Sequence, residues 1–318
     1  MAKGAASNKP KVGTRPVVEA QGATDPQRAA DAQWESSIGA GASLAAEVLK
    51  QREAKLAKGF KSMVKPGTLV AEGDSWFDYP LSDVLESLED NHGWDVVSVA
   101  HHGHTVEEIA YSTSQIAGLE RALRKLSERH VTPKAVLLSG GGNDIAGGEF
   151  AMLLNHAASR LEPLNELVLQ GAIDQRLRAA IVSFAAGVTT LCERLFGKKL
   201  PIVLHGYDFP VPDGRGFLGG FSILPGPWLQ PGFRRKGYDD LARCTELMRV
   251  LMGRFNTLLA SIAGGPGLEH LHYVSLLGAL SSKLEGEEYK EWWANELHPT
   301  GKGFRAVARV LQAALEKL

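Results

Sequence analysis

Ser75 stands at the end of an apolar run, Leu69-Val-Ala-Glu-Gly-Asp-Ser-Trp-Phe77, where a buried strand would open onto solvent. A hydroxyl placed there is a candidate nucleophile for acyl transfer, provided that an imidazole within hydrogen-bond reach takes its proton. Gly-Asp-Ser is also ordinary turn chemistry, so the serine alone decides nothing. Two further apolar runs end in similar fashion. The first leads into His101-His-Gly103-His104 and the second into Gly140-Gly-Gly-Asn143-Asp144. Near the C-terminus, Asn295-Glu-Leu-His298-Pro-Thr precedes a helical pattern, and His298 is the natural candidate for the base.

Such residues need a scaffold that gathers strand ends along one edge. Short hydrophobic runs predict strands from Thr68 to Ala71, Asp95 to Ala100, Lys134 to Ser139, Pro201 to His205 and Leu271 to Ser275. Helical patterns fall between them, at about 80 to 90, 105 to 130, 150 to 196 and 239 to 262, and a last one runs from Lys302 to Leu318. The alternation predicts an α/β protein, a three-layer α/β/α sandwich with right-handed crossovers over a parallel five-stranded sheet. With the flavodoxin-like strand order 2-1-3-4-5, the switch point between strands one and three brings Ser75, Gly103 and Asn143 together.

The four blocks Gly73-Asp74-Ser75, Gly103, Gly141-Gly-Asn143-Asp144 and His298-Pro-Thr, in that order, resemble those of the SGNH/GDSL hydrolase superfamily of esterases and lipases. The resemblance covers residues 67 to 318. It implies Ser75 as nucleophile, His298 as general base, and an oxyanion hole made of the Ser75 and Gly103 backbone N–H groups and the Asn143 side-chain amide. The residue types suit those roles. A preorganised amide donor is worth about 2.7 to 4 kcal/mol at a developing oxyanion, and glycine lets backbone approach a substrate closely.

The sequence departs from the family at one position. An aspartate usually precedes the histidine by three residues, and here Asn295 stands in its place, with Glu296 beside it. Asn295 is taken as the residue that orients His298. A carboxylate from Glu296 or Asp208, or a backbone carbonyl, is an alternative, and so is a slow enzyme. The same substitution motivates a reading from another class, a catalytically weakened binding module that keeps the pocket.

The segment from His205 to Tyr238 is rich in Gly, Pro and aromatics and reads as a long irregular loop over the crevice. Phe209, Phe217, Phe221 and Trp228, with Leu224 and Leu229, are candidates for an apolar wall, or for residues that simply hold the loop down. Arg234, Arg235 and Lys236 read as a solvated basic patch. His101, His102 and His104, taken with Asp74 and Asn143-Asp144, suggest a metal-dependent phosphoesterase as a third reading. Against it, alternation at a strand end points neighbouring histidines to opposite faces. No cofactor and no metal is expected in the chemistry. The expected reaction is hydrolysis of a carboxylic ester, either a lipid-like acyl ester or an O-acyl group on a sugar, through an acyl-enzyme.

Composition narrows the partners. Lys plus Arg number 35 against 36 for Asp plus Glu, a net charge of -1, which gives no electrostatic footprint for nucleic acid. Cys192 and Cys244 fall in helical patterns and read as core thiols, with no paired spacing for zinc. Residues 1–33 are poor in large apolar side chains and read as a flexible arm. Residues 34–66 read as an amphipathic leading helix, and 67–318 as the hydrolase domain. No transmembrane run and no signal-like apolar core is evident, so a cytoplasmic location is the default. Export by a signal-independent route, peripheral membrane contact and the oligomeric state stay open.

Overall fold

The computed structural model describes residues 66–80, 82–217 and 225–318. The arm and the leading helix expected before Pro66 therefore lie outside the described residues, as do Phe221 and Leu224. Five parallel strands form one sheet in the order 2-1-3-4-5. They are β1 (Thr68–Gly73), β2 (Asp95–Ser98), β3 (Ala135–Ser139), β4 (Ile202–His205) and β5 (Leu271–Val274). The central strands β1, β3 and β4 are buried along their whole length, because helices cover both faces and leave no side for polar residues. The edge strand β2 is partly exposed throughout.

Helices α1 (Val84–His92) and α7 (Gly301–Leu315) pack on each other. A second group contains α2 (Val106–Tyr111), α3 (Thr113–Glu128), α4 (Glu166–Phe196) and α6 (Leu241–Ile262). Together they make the α/β/α layers that the strand cadence predicts. Register fixes what matters for chemistry. Gly73 lies beside Ser139 and His205 beside Val274, so the loops after β1, β3, β4 and β5 leave from one edge.

Some helical expectations need correction. The pattern over 105 to 130 is two helices, because Ser112 adopts an extended backbone (ψ 120°) and closes the first helix while opening the second. The pattern over 150 to 196 begins only at Glu166, where the Asn165 side chain caps the first turn. Residues before it form a 3-10 turn (Gly147–Leu153) and a short bridge between Leu154 and Leu164. A short helix α5 (Gln230–Arg235) lies inside the segment expected to be irregular. By length and composition alone, Glu166–Phe196 passes for a membrane-crossing helix. Its face of Ile173, Leu177, Ile181, Phe184 and Val188 is nevertheless spent on the core, as in a central helix of a globular domain. Cys192 and Cys244 are buried free thiols.

Candidate active site

The turn after β1 is held from behind. A Cβ on Gly73 would lie 2.7 Å from the Ser139 carbonyl oxygen, so only glycine lets the two strands run this close. Asp74 is 1% exposed and braces the turn. Its Oδ1 accepts from the Trp76 N–H (3.0 Å) and the Ser139 hydroxyl (2.8 Å), and its Oδ2 accepts from the Tyr207 hydroxyl. Burial, and then the charge of Asp74, push the Tyr207 phenol well above its ordinary range, so it remains a donor. With Asp74 fully used, Ser75 presents its Oγ to the Nε2 of His298 at 2.7 Å.

Across that contact, the Nδ1 of His298 faces the Oδ1 of Asn295 at 3.0 Å. Which end of the amide faces the ring is settled by its neighbours. The same Oδ1 accepts from the backbone N–H groups of Leu297 (3.0 Å) and His298 (2.9 Å), while Nδ2 donates to the Tyr79 hydroxyl at 3.0 Å. Two obligate donors face this atom, so it is oxygen, and the imidazole proton sits on Nδ1. Nε2 is thereby left as an acceptor for the serine proton. The Tyr79 ring stacks on His298 (centroids 4.2 Å, 19°), and Trp228 meets it edge-on at 5.5 Å. This aromatic box buries the imidazole and pushes its pKa down to about 3. Burial also lifts Tyr79 to about 12.

Neither carboxylate considered as an alternative partner for His298 serves it. Asp208 accepts from the N–H groups of Phe209, Gly278 and Leu280, and so joins the loops after β4 and β5. Glu296 is wholly buried and accepts from four backbone N–H groups: Gly214 (2.9 Å), Trp228 (2.6 Å), Leu229 (2.7 Å) and Gln230 (3.0 Å). It clamps the long loop, a role invisible in the sequence because all four donors lie more than sixty residues away. Burial pushes its pKa up while the four donors hold it down. Glu296→Gln should cost about 2 to 4 kcal/mol, since an NH₂ group would then face backbone donors that have lost their acceptor. Urea unfolding checks this: the midpoint should fall at unchanged slope, and an unmoved midpoint contradicts the clamp.

The expected oxyanion donors come from two loops. Gly103 is exposed and takes φ +84°, and no intramolecular acceptor for its N–H is found among the described residues. Asn143 gives one Nδ2 hydrogen to the His104 carbonyl (2.9 Å), which fixes the amide and leaves its second hydrogen for a ligand. Asp144 accepts the Val106 N–H (2.9 Å) and so pins the start of α2 to this loop. Ser75 and Asn143 share a cavity of about 30 Å³ with Trp76, Ile145, Leu229 and Met252. Of the expected wall residues, Trp228 touches His298, and Phe217 packs edge-on to Tyr79 at 5.7 Å. Phe209 is turned elsewhere, toward Arg249. Tyr79, Tyr207 and Met252 were not singled out by sequence.

The residues of the phosphoesterase reading do not assemble. Among the described residues the His/Asp group with metal-ligand spacing is Asp78, His101 and His102, and neither Asp74 nor Asp144 belongs to it. The objection from strand alternation is also corrected. β2 ends at Ser98, so His101 and His102 lie in a turn, and their rings stack on one side with centroids 4.6 Å apart.

No protein-family model and no curated protein matches the chain. Solved structures similar to it include a GDSL-like lipase from Bacteroides thetaiotaomicron, 12% identical, covering 84% of this chain and 97% of that one at a TM-score of 0.39. An acetylxylan esterase from Geobacillus stearothermophilus, in a catalytic mutant form, is 14% identical and covers 80% of this chain and 95% of that one at 0.41. An alpha/beta hydrolase from the metagenome of Lake Arreo, Spain, is 16% identical and covers 80% and 97% at 0.43.

Proposed function

We propose that the protein is a serine hydrolase of carboxylic esters, of the SGNH type, acting through an acyl-enzyme. The observation that carries this reading is the 2.7 Å contact of Ser75 Oγ with His298 Nε2, together with an Nδ1 proton fixed by Asn295. In this reading the Oγ proton passes to Nε2 as Oγ bonds to the acyl carbon. The charge on the carbonyl oxygen is met by the N–H groups of Ser75 and Gly103 and by the free hydrogen of the Asn143 amide. Collapse expels the alcohol, which takes the proton back from His298, and a water repeats the cycle to release the acid. The Asn295 geometry supports an enzyme over a binding module. An amide turned the other way would have put the imidazole proton on the wrong nitrogen.

The acyl group is short in this reading. An aromatic loop in the sequence favours a lipid-like chain, yet the space beside Ser75 amounts to about 30 Å³. A space of that size suits a short acyl group such as acetyl. Phe217 and Trp228 line the histidine side, where they suit the alcohol portion of the ester. Nitrophenyl esters of graded chain length test both parts. The acetyl ester should turn over at least about tenfold faster than the octanoyl ester, because each extra methylene has to displace packed side chains. Equal or reversed rates overturn the short-acyl reading, and no hydrolysis of any chain length overturns the esterase.

A further inference from the structure

We infer that Asp78, His101 and His102 form a site for a divalent cation of the zinc type, on the turn that carries Gly103. The three side chains each offer a ligand atom, and these atoms lie within 4.8 Å of one another. Two imidazoles and a carboxylate are the donor set that borderline metals take, with positions left for water. The site is distinct from the serine chemistry and does not rest on the esterase reading.

The local geometry is already close to that of ligands around an ion. Asp78 Oδ2 accepts from both the His102 backbone N–H and its Nδ1, each at 2.9 Å, so the carboxylate and the ring face each other across one proton. Tetrahedral ligands at zinc bond lengths stand about 3.3 Å apart, so replacing that proton by a metal opens the pair by only a few tenths of an ångström. His101 Nδ1 is bonded to the His102 carbonyl (2.8 Å), which orients its ring and leaves Nε2 as the outward ligand. His104 stacks on the other face of the group, 4.7 Å from His101, and its Nδ1 is buried without a partner. Three imidazoles in one stack, one with an orphaned nitrogen, are poorly explained as a solvated surface. Both metal-binding histidines are exposed, so an ion has a path in.

The position gives the ion leverage. His102 is joined directly to Gly103, and His104, one residue further, holds the Asn143 amide through its carbonyl. A metal that closes on Asp78 and His102 therefore ties the nucleophile turn to the loop that carries Gly103 and, through the His104 carbonyl, holds the Asn143 amide.

The test is calorimetric titration of the chelator-treated full chain with Zn²⁺ alone, followed by Co²⁺ to read tetrahedral absorption bands. One ion should bind per chain, and His101→Gln, His102→Ala and Asp78→Asn should each weaken it at least about tenfold. Ser75→Ala should bind zinc unchanged, which separates this site from the esterase reading. His101→Gln changes an exposed ring tip, and its metal-free melting temperature is the check that the fold survives. Zinc affinity that is unaltered in His101→Gln and Asp78→Asn, or an absence of binding at millimolar zinc, overturns the proposal.

Discussion

Ser75→Ala should lower the proposed ester hydrolysis by about 10⁴- to 10⁶-fold and should remove the site of labelling by a fluorophosphonate. The size of the loss follows from how the residue is held. Asp74 is consumed by Trp76, Ser139 and Tyr207, so no other group in the turn can take over as nucleophile. Removing the hydroxyl takes nothing from the brace, and the variant should fold and melt like the parent. His298→Ala should cost as much, and the double variant no more than either, because the two side chains act as one unit. Intact mass after probe treatment and initial rates on a short ester give the answer. A probe adduct that persists on Ser75→Ala would mean that the reactive group lies elsewhere.

Asn295→Asp should raise kcat/KM by roughly ten- to hundredfold near pH 7 and move the acid limb of the pH profile upward. In the parent, burial holds the His298 pKa down to about 3, so the ring is neutral, but it is a weak base with no carboxylate to favour the imidazolium. Activity should accordingly be flat from neutral pH down to about pH 4 or 5. In another serine triad the reverse exchange, carboxylate to amide, costs about 10⁴-fold because the amide selects the wrong tautomer. Here the amide oxygen is locked by the Leu297 and His298 N–H groups, so that part of the loss is absent and the gain is smaller. The new carboxylate would keep those donors, and the Tyr79 hydroxyl can rotate to donate to it. A pH–rate series on both proteins decides the matter. A parent limb near pH 6.5, or a variant no faster than the parent, contradicts this account of His298.

The same burial acts on stability with a definite sign. The folded-state pKa of His298 lies below its unfolded value, so the unfolded chain takes up the proton first, and stability falls as the pH drops from about 6.5 toward 3. Glu72 and Asp83, pushed up to about 7 by burial, work the other way and lose stability as the pH rises toward neutrality.

The strands were legible because each is a short apolar run closed by polar residues, and their ends carried Ser75, Gly103 and Asn143 to a common edge. Periodicity misread the helices where local hydrogen bonds outweigh it. Ser112 interrupts a continuous pattern, and Asn165 starts a helix that hydrophobic spacing places sixteen residues earlier. The environment of His298 was less legible. Tyr79 and Trp228 reach the ring from two distant segments of the chain, and the partners of the Asn295 and Glu296 side chains become visible only once the loops are folded. No short-range pattern could have assigned Glu296 to the loop and Asn295 to the base, since they are adjacent and both polar.

That adjacency has a mechanical meaning. Within four residues, Asn295 to His298, one side chain steers the imidazole, the next grips the backbone of Trp228, Leu229 and Gln230, and the last faces the serine hydroxyl. In the proposed reaction the loop and the proton acceptor are thus two arms of a single lever. An alcohol group that fails to seat against the loop displaces the acceptor by the same motion, so poor substrates would bind and stall, showing their misfit as slow turnover more than as weak affinity.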